Sequence, residues 1–384
     1  MAKQRGHGEG TIYHRKDGRW VASITLENRK RKYFYGETRK EVQEKLKVAL
    51  HEQQQGTLAT GPQQTVKQYL EHWLEEVHKP TLRLSTYLKY HQMLVRYVLP
   101  VLGQYQLQKL NAQQVQAFYG RKLKEGLAPG TVRFIHAMLH KAFDQAVRWK
   151  LVSRNVCNEV SPPRIIKREI KPLTKEQALK LLETARGSRL EALLTIALVT
   201  GMRRGELRSL RWHDINFDDK SLQVRRTVEC LTGYGYIENE PKSSRGRRKI
   251  TLPDFTIEML KQHRVKQIEA RLKVGEAWVD HDLVFCKTDG SFLPASTLQY
   301  QFEALLKDAG IEHIRFHDLR HSAATILLTM GVHPKIVQEL LGHSQISMTM
   351  DIYSHVLPSM QREAMNKLND LFGNDEQEDD KQIK

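Results

Sequence analysis

The chain has 384 residues, 40% of them hydrophobic, and a net charge of +17. At that length two or three cores are expected rather than one. No run of eighteen apolar residues occurs, which excludes a helical membrane span, and the first ten residues lack the apolar stretch of a secretory signal. Three widely spaced cysteines, Cys157, Cys230 and Cys286, suit a reducing compartment and a fold without disulfides.

The positive surplus implies a polyanionic partner, because phosphates neutralised by Lys and Arg release their counterions. A membrane surface or solubility alone would also use such charge. Here, however, it is spread through segments that read as folded instead of forming one polybasic tail. Nucleic acid is therefore the expected partner. Residues 373–384 run the other way: acidic from Asp375 to Asp380 and without apolar anchors, they read as a disordered tail.

Residues 1–58 read as strands followed by a helix. Thr11-Ile12-Tyr13 is β-prone, Lys16-Asp17-Gly18 is a hairpin-turn signal, and Arg19 to Ile24 alternates. Lys32 to Tyr35 supplies a third strand. Thr38 and Glu41 have the spacing of a capping box, and Val42, Leu46 and Ala49 line one face of the helix that follows. The result is a small three-stranded sheet with a helix on one side. Its cations, among them Arg15, Lys16, Arg19, Arg29, Lys30, Arg31 and Lys32, are interleaved with aromatics. A sheet of this size fits the major groove, which favours DNA contact over a merely solvated face.

Gln53 to Gln64 lacks periodicity and contains Gly and Pro, as a linker does. Residues 65–160 are helical throughout. Val66, Tyr69, Leu70, Trp73 and Leu74 recur at helical spacing, as do Tyr87, Tyr90, His91, Leu94 and Val98. Asn111 begins a further helix; Leu127 to Gly130 reads as a turn, with Thr131 opening the last long helix. Four or five short helices in this span form a bundle. A basic connector from Pro162 to Pro172 separates it from residues 172–372. There a helix starts at Leu173-Thr174, with Leu179, Leu182 and Leu193 to Leu198 as its apolar sequel. Residues 222–252 read as strands around a basic turn, and helices return from Leu298. The expected fold class is mainly α with small β-sheets, α+β overall.

Several polar residues in this last region sit where folding alone would not place them. Thr200-Gly201-Met202-Arg203-Arg204-Gly205-Glu206-Leu207 interrupts an apolar helix. Arg203 and Glu206, three apart, can hydrogen-bond across one face, although a helix cap followed by a charged turn has the same look. Arg315-Phe316-His317-Asp318-Leu319-Arg320-His321 heads a helix whose remainder is apolar. A histidine and an arginine there are costly unless an anion joins them. His317 and His321 also have zinc-ligand spacing, but Asp318 stands where a metalloprotease has its glutamate, no third ligand is evident, and the intervening arginine opposes a cation. Leu340-Leu341-Gly342-His343-Ser344 follows another apolar helix, and Tyr353 lies ten residues beyond His343.

A tyrosine alone reads as core. Two arginines, two histidines and a tyrosine, without paired carboxylates or a Ser-His-Asp set, fit phosphoryl transfer. Guanidinium forks match phosphate oxygens and can hold the charge of a pentacoordinate intermediate. Histidine relays protons near neutrality. Tyrosine can attack phosphorus once neighbouring cations or a base activate its hydroxyl.

In these strings and their order the chain resembles the tyrosine recombinases, or phage-type integrases, especially those of conjugative transposons and temperate phages. The resemblance implies that Arg203 and Arg320 clamp the scissile phosphate. It implies that His317 and His343 assist proton transfer, that Tyr353 is the nucleophile of a 3′-phosphotyrosine, and that Glu206 is a supporting acid. The family also uses a lysine on a β-hairpin as general acid. Pro241 to Leu252 is the matching segment, which makes Lys242 the choice and Lys249 the rival, with Arg245, Arg247 and Arg248 as phosphate contacts. No metal or other cofactor is implied. The three regions would be an arm-type DNA-binding domain (1–58), a core-binding bundle (65–160) and a catalytic domain (172–372). Four protomers would act on two duplexes carrying core-type and arm-type sites, with room for a bending or directionality factor and with residues 360–371 docking onto a neighbour. A cytoplasmic, nucleoid-associated, prokaryotic protein is expected. Two rivals stand beside this reading. A type IB topoisomerase shares the chemistry but works on one duplex; a DNA-binding regulator without activity would have lost at least one of the six active-site residues.

Overall fold

The computed structural model describes residues 10–26, 31–54, 58, 60, 62–166, 171–241, 244–342, 345–346, 350, 365–366, 368–369 and 372. The chain divides into two compact units, residues 1–167 and 168–384. It is mainly helical with small antiparallel sheets. Among the described residues no helix is long and apolar enough to cross a membrane.

The first unit opens with strands β1 (Thr11–His14), β2 (Trp20–Thr25) and β3 (Arg31–Gly36), paired antiparallel in that order. The register sets Tyr13 opposite Val21 and Val21 opposite Tyr35. Alternation then sends Ala22, Ile24 and Phe34 to one face, where Val42, Leu46 and Ala49 of helix α1 (Arg39–Gln54) cover them. The other face leaves Tyr13, Tyr33 and Tyr35 exposed. Thr38 caps α1 by accepting from the Glu41 N–H at 3.2 Å. The Glu41 carboxylate in turn accepts from the Glu37 N–H at 3.0 Å.

Farther along this unit come helices α2 (Val66–His72), α3 (Leu84–Met93), α4 (Leu99–Leu102), α5 (Ala112–Lys124) and α6 (Pro129–Arg148). Trp73–His78 and Leu94–Val98 continue α2 and α3 as π-helical turns. Thr65 with Gln68 and Asn111 with Gln114 form complete capping boxes. The core gathers Tyr69, Trp73, Leu94, Val98, Phe118 and Phe143, whereas His91 is exposed. The long helix α6 starts at Pro129, not Thr131. Proline at a first helical position costs no hydrogen bond, so the residues read as a turn belong to the first helical turn.

The second unit begins with α7 (Lys175–Thr184), capped reciprocally by Thr174 and Gln177. Ala178 and Leu181 face its core, and Leu179 points to solvent. Helix α8 (Glu191–Thr200) is apolar nearly all round and buried; α9 (Arg204–Arg208) follows it. Strands β4 (Ile215–Asn216), β5 (Ser221–Val224), β6 (Thr227–Leu231), β7 (Gly235–Asn239) and β8 (Arg248–Thr251) come next. Helices α10 (Asp254–Val274), α11 (Ala295–Asp308), α12 (Asp318–Thr329) and α13 (Pro334–Leu341) follow.

The strand pairing differs from a hairpin closed around residues 241–252. β7 pairs with β6, and β8 pairs with β5 in the order β4-β5-β8. The basic segment therefore joins two separate sheets. Leu222, Val224 and Ile250 are all buried, so β8 buries its apolar face by pairing beside β5.

Candidate active site

Helix α8 ends at Gly201, whose φ of +60° is the left-handed conformation of a helix cap. The next turn places Arg203 at the N-terminal boundary of α9. Its backbone N–H donates to Glu206 Oε2 at 3.0 Å and its Nη1 to Glu206 Oε1 at 2.8 Å. The cap and the ion pair are thus one structure. Glu206 is only 2% exposed. Burial pushes its carboxyl upward, but Arg248 and Arg203 outweigh burial and hold it below the usual carboxylate range. The Arg203 side chain keeps 39% of its surface open.

Arg320, on the first turn of α12, is 4% exposed. Its Nη1 donates to the Gly201 carbonyl at 2.8 Å, while Nη2 is buried without a partner among the described residues. Burial first, then the like charges of Arg203 and Arg248, lower its pKa to about 9. A buried guanidinium with an unused donor is expensive, and an anion would relieve it. His317 stands at the N-terminal boundary of the same helix, 5.7 Å from the His321 ring. Its ring keeps an open face, yet loss of water around it, together with His321, Arg320 and Arg203, lowers its pKa to about 4. It is therefore neutral near pH 7. Arg315 grips Asp318 at 2.8 Å, so that carboxylate is committed within the protein.

Arg248 departs from the expectation of a phosphate-contacting surface cation. Its side chain is 6% exposed and donates to Glu206 Oε2 (3.0 Å), the Leu340 carbonyl (2.6 Å) and the Gly246 carbonyl (3.1 Å). The signal was present in the strand: alternation puts Arg248 on the same face as Ile250, which is buried. Lys249 lies on the opposite face and pairs with Asp219 at 3.2 Å. Arg245 and Arg247 are exposed, the latter bound to Glu240. Arg203 also reaches the Gly342 carbonyl at 3.4 Å. The structure thus brings together Arg203, Glu206, His317 and Arg320, and adds Arg248. Lys242, His343 and Tyr353 lie outside the described residues, as do most of the segment 360–371 and the whole of the tail 373–384.

In the first unit, Arg15, Lys16 and Arg19 flank the exposed β1–β2 turn. Arg19 donates to Asp17 at 2.9 Å, with Arg15 at 3.7 Å from the same carboxylate. Arg29 and Lys30 lie outside the described residues.

Residues 171–360 match the phage integrase family, and residues 65–123 match the phage integrase N-terminal SAM-like domain. A "tyrosine recombinase XerC-like" protein of Caldanaerobacter subterraneus subsp. tengcongensis is 34% identical over 360 residues, 89% of this chain and 92% of that protein. The chain belongs to the phage integrase family. It is a tyrosine recombinase, an enzyme of site-specific DNA recombination. The recombinase also has the fold of the Tn1549 transposon integrase solved in complex with a circular intermediate DNA (TM-score 0.66, 22% identity, 79% of this chain and 99% of that one). It has likewise the fold of lambda integrase solved as a tetramer bound to a Holliday junction (TM-score 0.55, 18% identity, 91% and 96%).

Proposed function

We propose that this integrase cuts and rejoins DNA through a 3′-phosphotyrosine on Tyr353, with Arg203 and Arg320 holding the scissile phosphate. The observation that carries the reading is the buried Arg320 whose Nη2 has no partner among the described residues, beside the half-open Arg203. Both guanidiniums are oriented before any substrate arrives, by Glu206 and by the Gly201 and Gly342 carbonyls. Preorganised donors of this kind stabilise charge that develops in a transition state. The Tyr353 oxygen forms the new bond to phosphorus as the bond to the 5′-oxygen breaks. The tyrosine proton passes to a base, and Lys242 donates one to the leaving 5′-oxygen. His317, neutral at pH 7, can donate a hydrogen bond from its ring N–H to a phosphoryl oxygen; His343 takes the companion role. The covalent ester keeps the energy of the phosphodiester, so resealing needs no ATP. Attack by a 5′-hydroxyl of the partner strand reverses the step and frees Tyr353.

The reading extends to the rest of the chain. Residues 1–58 grip arm-type sites through Arg15, Lys16 and Arg19; residues 65–160 grip the core site; residues 172–372 carry the chemistry. Four copies join two duplexes, aided by a bending or directionality factor, on the nucleoid of a prokaryotic cell.

Incubation with nicked duplexes, followed by sequencing of the DNA retained on the protein, tests the mechanism and identifies the site. Wild type should retain DNA covalently and Tyr353→Phe should retain none. A wild type that forms no adduct, or a Phe variant that still forms one, would overturn the mechanism.

A further inference from the structure

Arg248 is a buried charge in the site to which the strand-transfer chemistry assigns no task. It is the meeting point of three segments distant in sequence. Through Glu206 it holds α9, through the Gly246 carbonyl it holds the basic segment that follows β7, and through the Leu340 carbonyl it holds the last turn of α13. The third contact spans 92 residues of sequence. Space at this junction is tight. Gly342, with φ +69°, ends α13, and a Cβ there would lie 2.7 Å from the Arg245 carbonyl and 3.1 Å from Arg248 Cδ.

We propose that Arg248 is a positioning residue of the recombinase, docking the end of α13 onto the Arg203–Glu206 pair. Gly342 is thereby the fixed point from which the chain departs toward His343 and Tyr353. The proposal rests on the function given above for those two residues. The chemistry favours an arginine over other residues here. Its planar fork has separate donors for one carboxylate and two carbonyls in different directions, whereas lysine concentrates its charge at one atom. Arg248 also acts electrostatically. Among the favourable interactions it contributes most to keeping Glu206 ionised against burial, and Glu206 in turn aims Arg203. Removing Arg248 should therefore disturb both the placement of the α13 terminus and the ionisation of Glu206.

The test compares wild type, Arg248→Gln and Arg248→Lys in single-turnover cleavage of a nicked duplex carrying the site recovered from the trapped adduct. DNA binding and thermal unfolding are measured in parallel. Arg248→Gln should lower the cleavage rate on the order of a hundredfold, the scale on which small misplacements act, while DNA affinity is kept. Arg248→Lys should recover only part of the loss. The acid limb of the pH–rate profile should move to higher pH in the Gln variant, because Glu206 has lost its main cation; a purely structural role would leave the limb in place. A Gln variant that cleaves at the wild-type rate, or one slowed with an unmoved limb, overturns the proposal. If the Gln variant does not fold, the Lys variant is judged on its rate: cleavage as fast as wild type overturns the proposal, and a slowed rate with DNA affinity kept supports it. Failure of wild type to form an adduct overturns the mechanism instead, so the two failures are distinguishable.

Discussion

The sheet of the first unit and the cluster around Glu206 are both rich in cations, yet they use charge in opposite ways. Arg15, Lys16 and Arg19 stand in water around one hairpin turn, where partners such as Asp17 are themselves part-exposed. Such pairs are worth little and are screened by salt. Arg203, Arg248 and Arg320 are instead held by one buried carboxylate and by backbone carbonyls. Cations free in water can add affinity to any duplex; those oriented by the protein can distinguish one phosphate geometry from another. The same residue type thus serves attachment in one place and chemistry in the other.

The largest effect that would sharpen this contrast is catalytic. Arg320→Ala and Arg203→Ala should each reduce single-turnover cleavage roughly hundred- to thousandfold, while electrophoretic binding assays show DNA affinity nearly unchanged. Equal loss of binding and cleavage would erase the distinction between the two regions. The next effect is on stability. Glu206→Ala leaves two guanidiniums without their shared carboxylate and should cost about 3–5 kcal/mol, the scale for breaking a buried pair, measurable by urea denaturation. Asp17→Ala in the exposed turn should leave the urea midpoint nearly unchanged, because its ion pairs are screened by water.

A smaller effect concerns pH. The folded-state pKa of His317, about 4, lies below its usual value of 6.5. The unfolded chain therefore binds the proton first as pH falls, and stability should decline between about 6.5 and 4 and level off below that. His317→Gln should flatten that part of a stability–pH curve; an unchanged slope would show that the ring is already as well solvated as in the unfolded chain. The smallest effect is expected in the sheet. Arg15→Ala should leave core-site cleavage intact and reduce the salt slope of arm-site binding by about 0.9, one phosphate contact.

Much of this was legible in the sequence, for local reasons. The capping pair Thr174–Gln177 follows from chemistry within a few residues, whereas β2, read as alternating, is the central strand and is buried at every position from Val21 to Ile24. Arg203 with Glu206 reads correctly as a pair, and the helix cap weighed against that reading is present as well, at Gly201. What escaped is nonlocal. Nothing near Arg248 in sequence announces Leu340, and the choice of β5 rather than β7 as the partner of β8 depends on which face must be buried. The burial of Arg248 is hidden in a run of cations, where charge density masks the two-residue alternation. The exposure of Leu179 is hidden for another reason: helical phase fixes which of Ala178, Leu179 and Leu181 turns inward only once the neighbours are in place.

Gly201 and Gly342 have a consequence for how variation in this enzyme is read. Each closes a helix, and each carbonyl receives a guanidinium, Arg320 at the first and Arg203 at the second. Replacing side chains with alanine detects groups whose loss matters, but at these two positions there is no group to lose. A methyl at Gly201 would lie 2.2 Å from Leu341 Cδ2. The informative changes there are additions. A catalogue of inactivating substitutions should therefore contain two sites whose wild-type residue contributes only the shape of the backbone and the room left beside it.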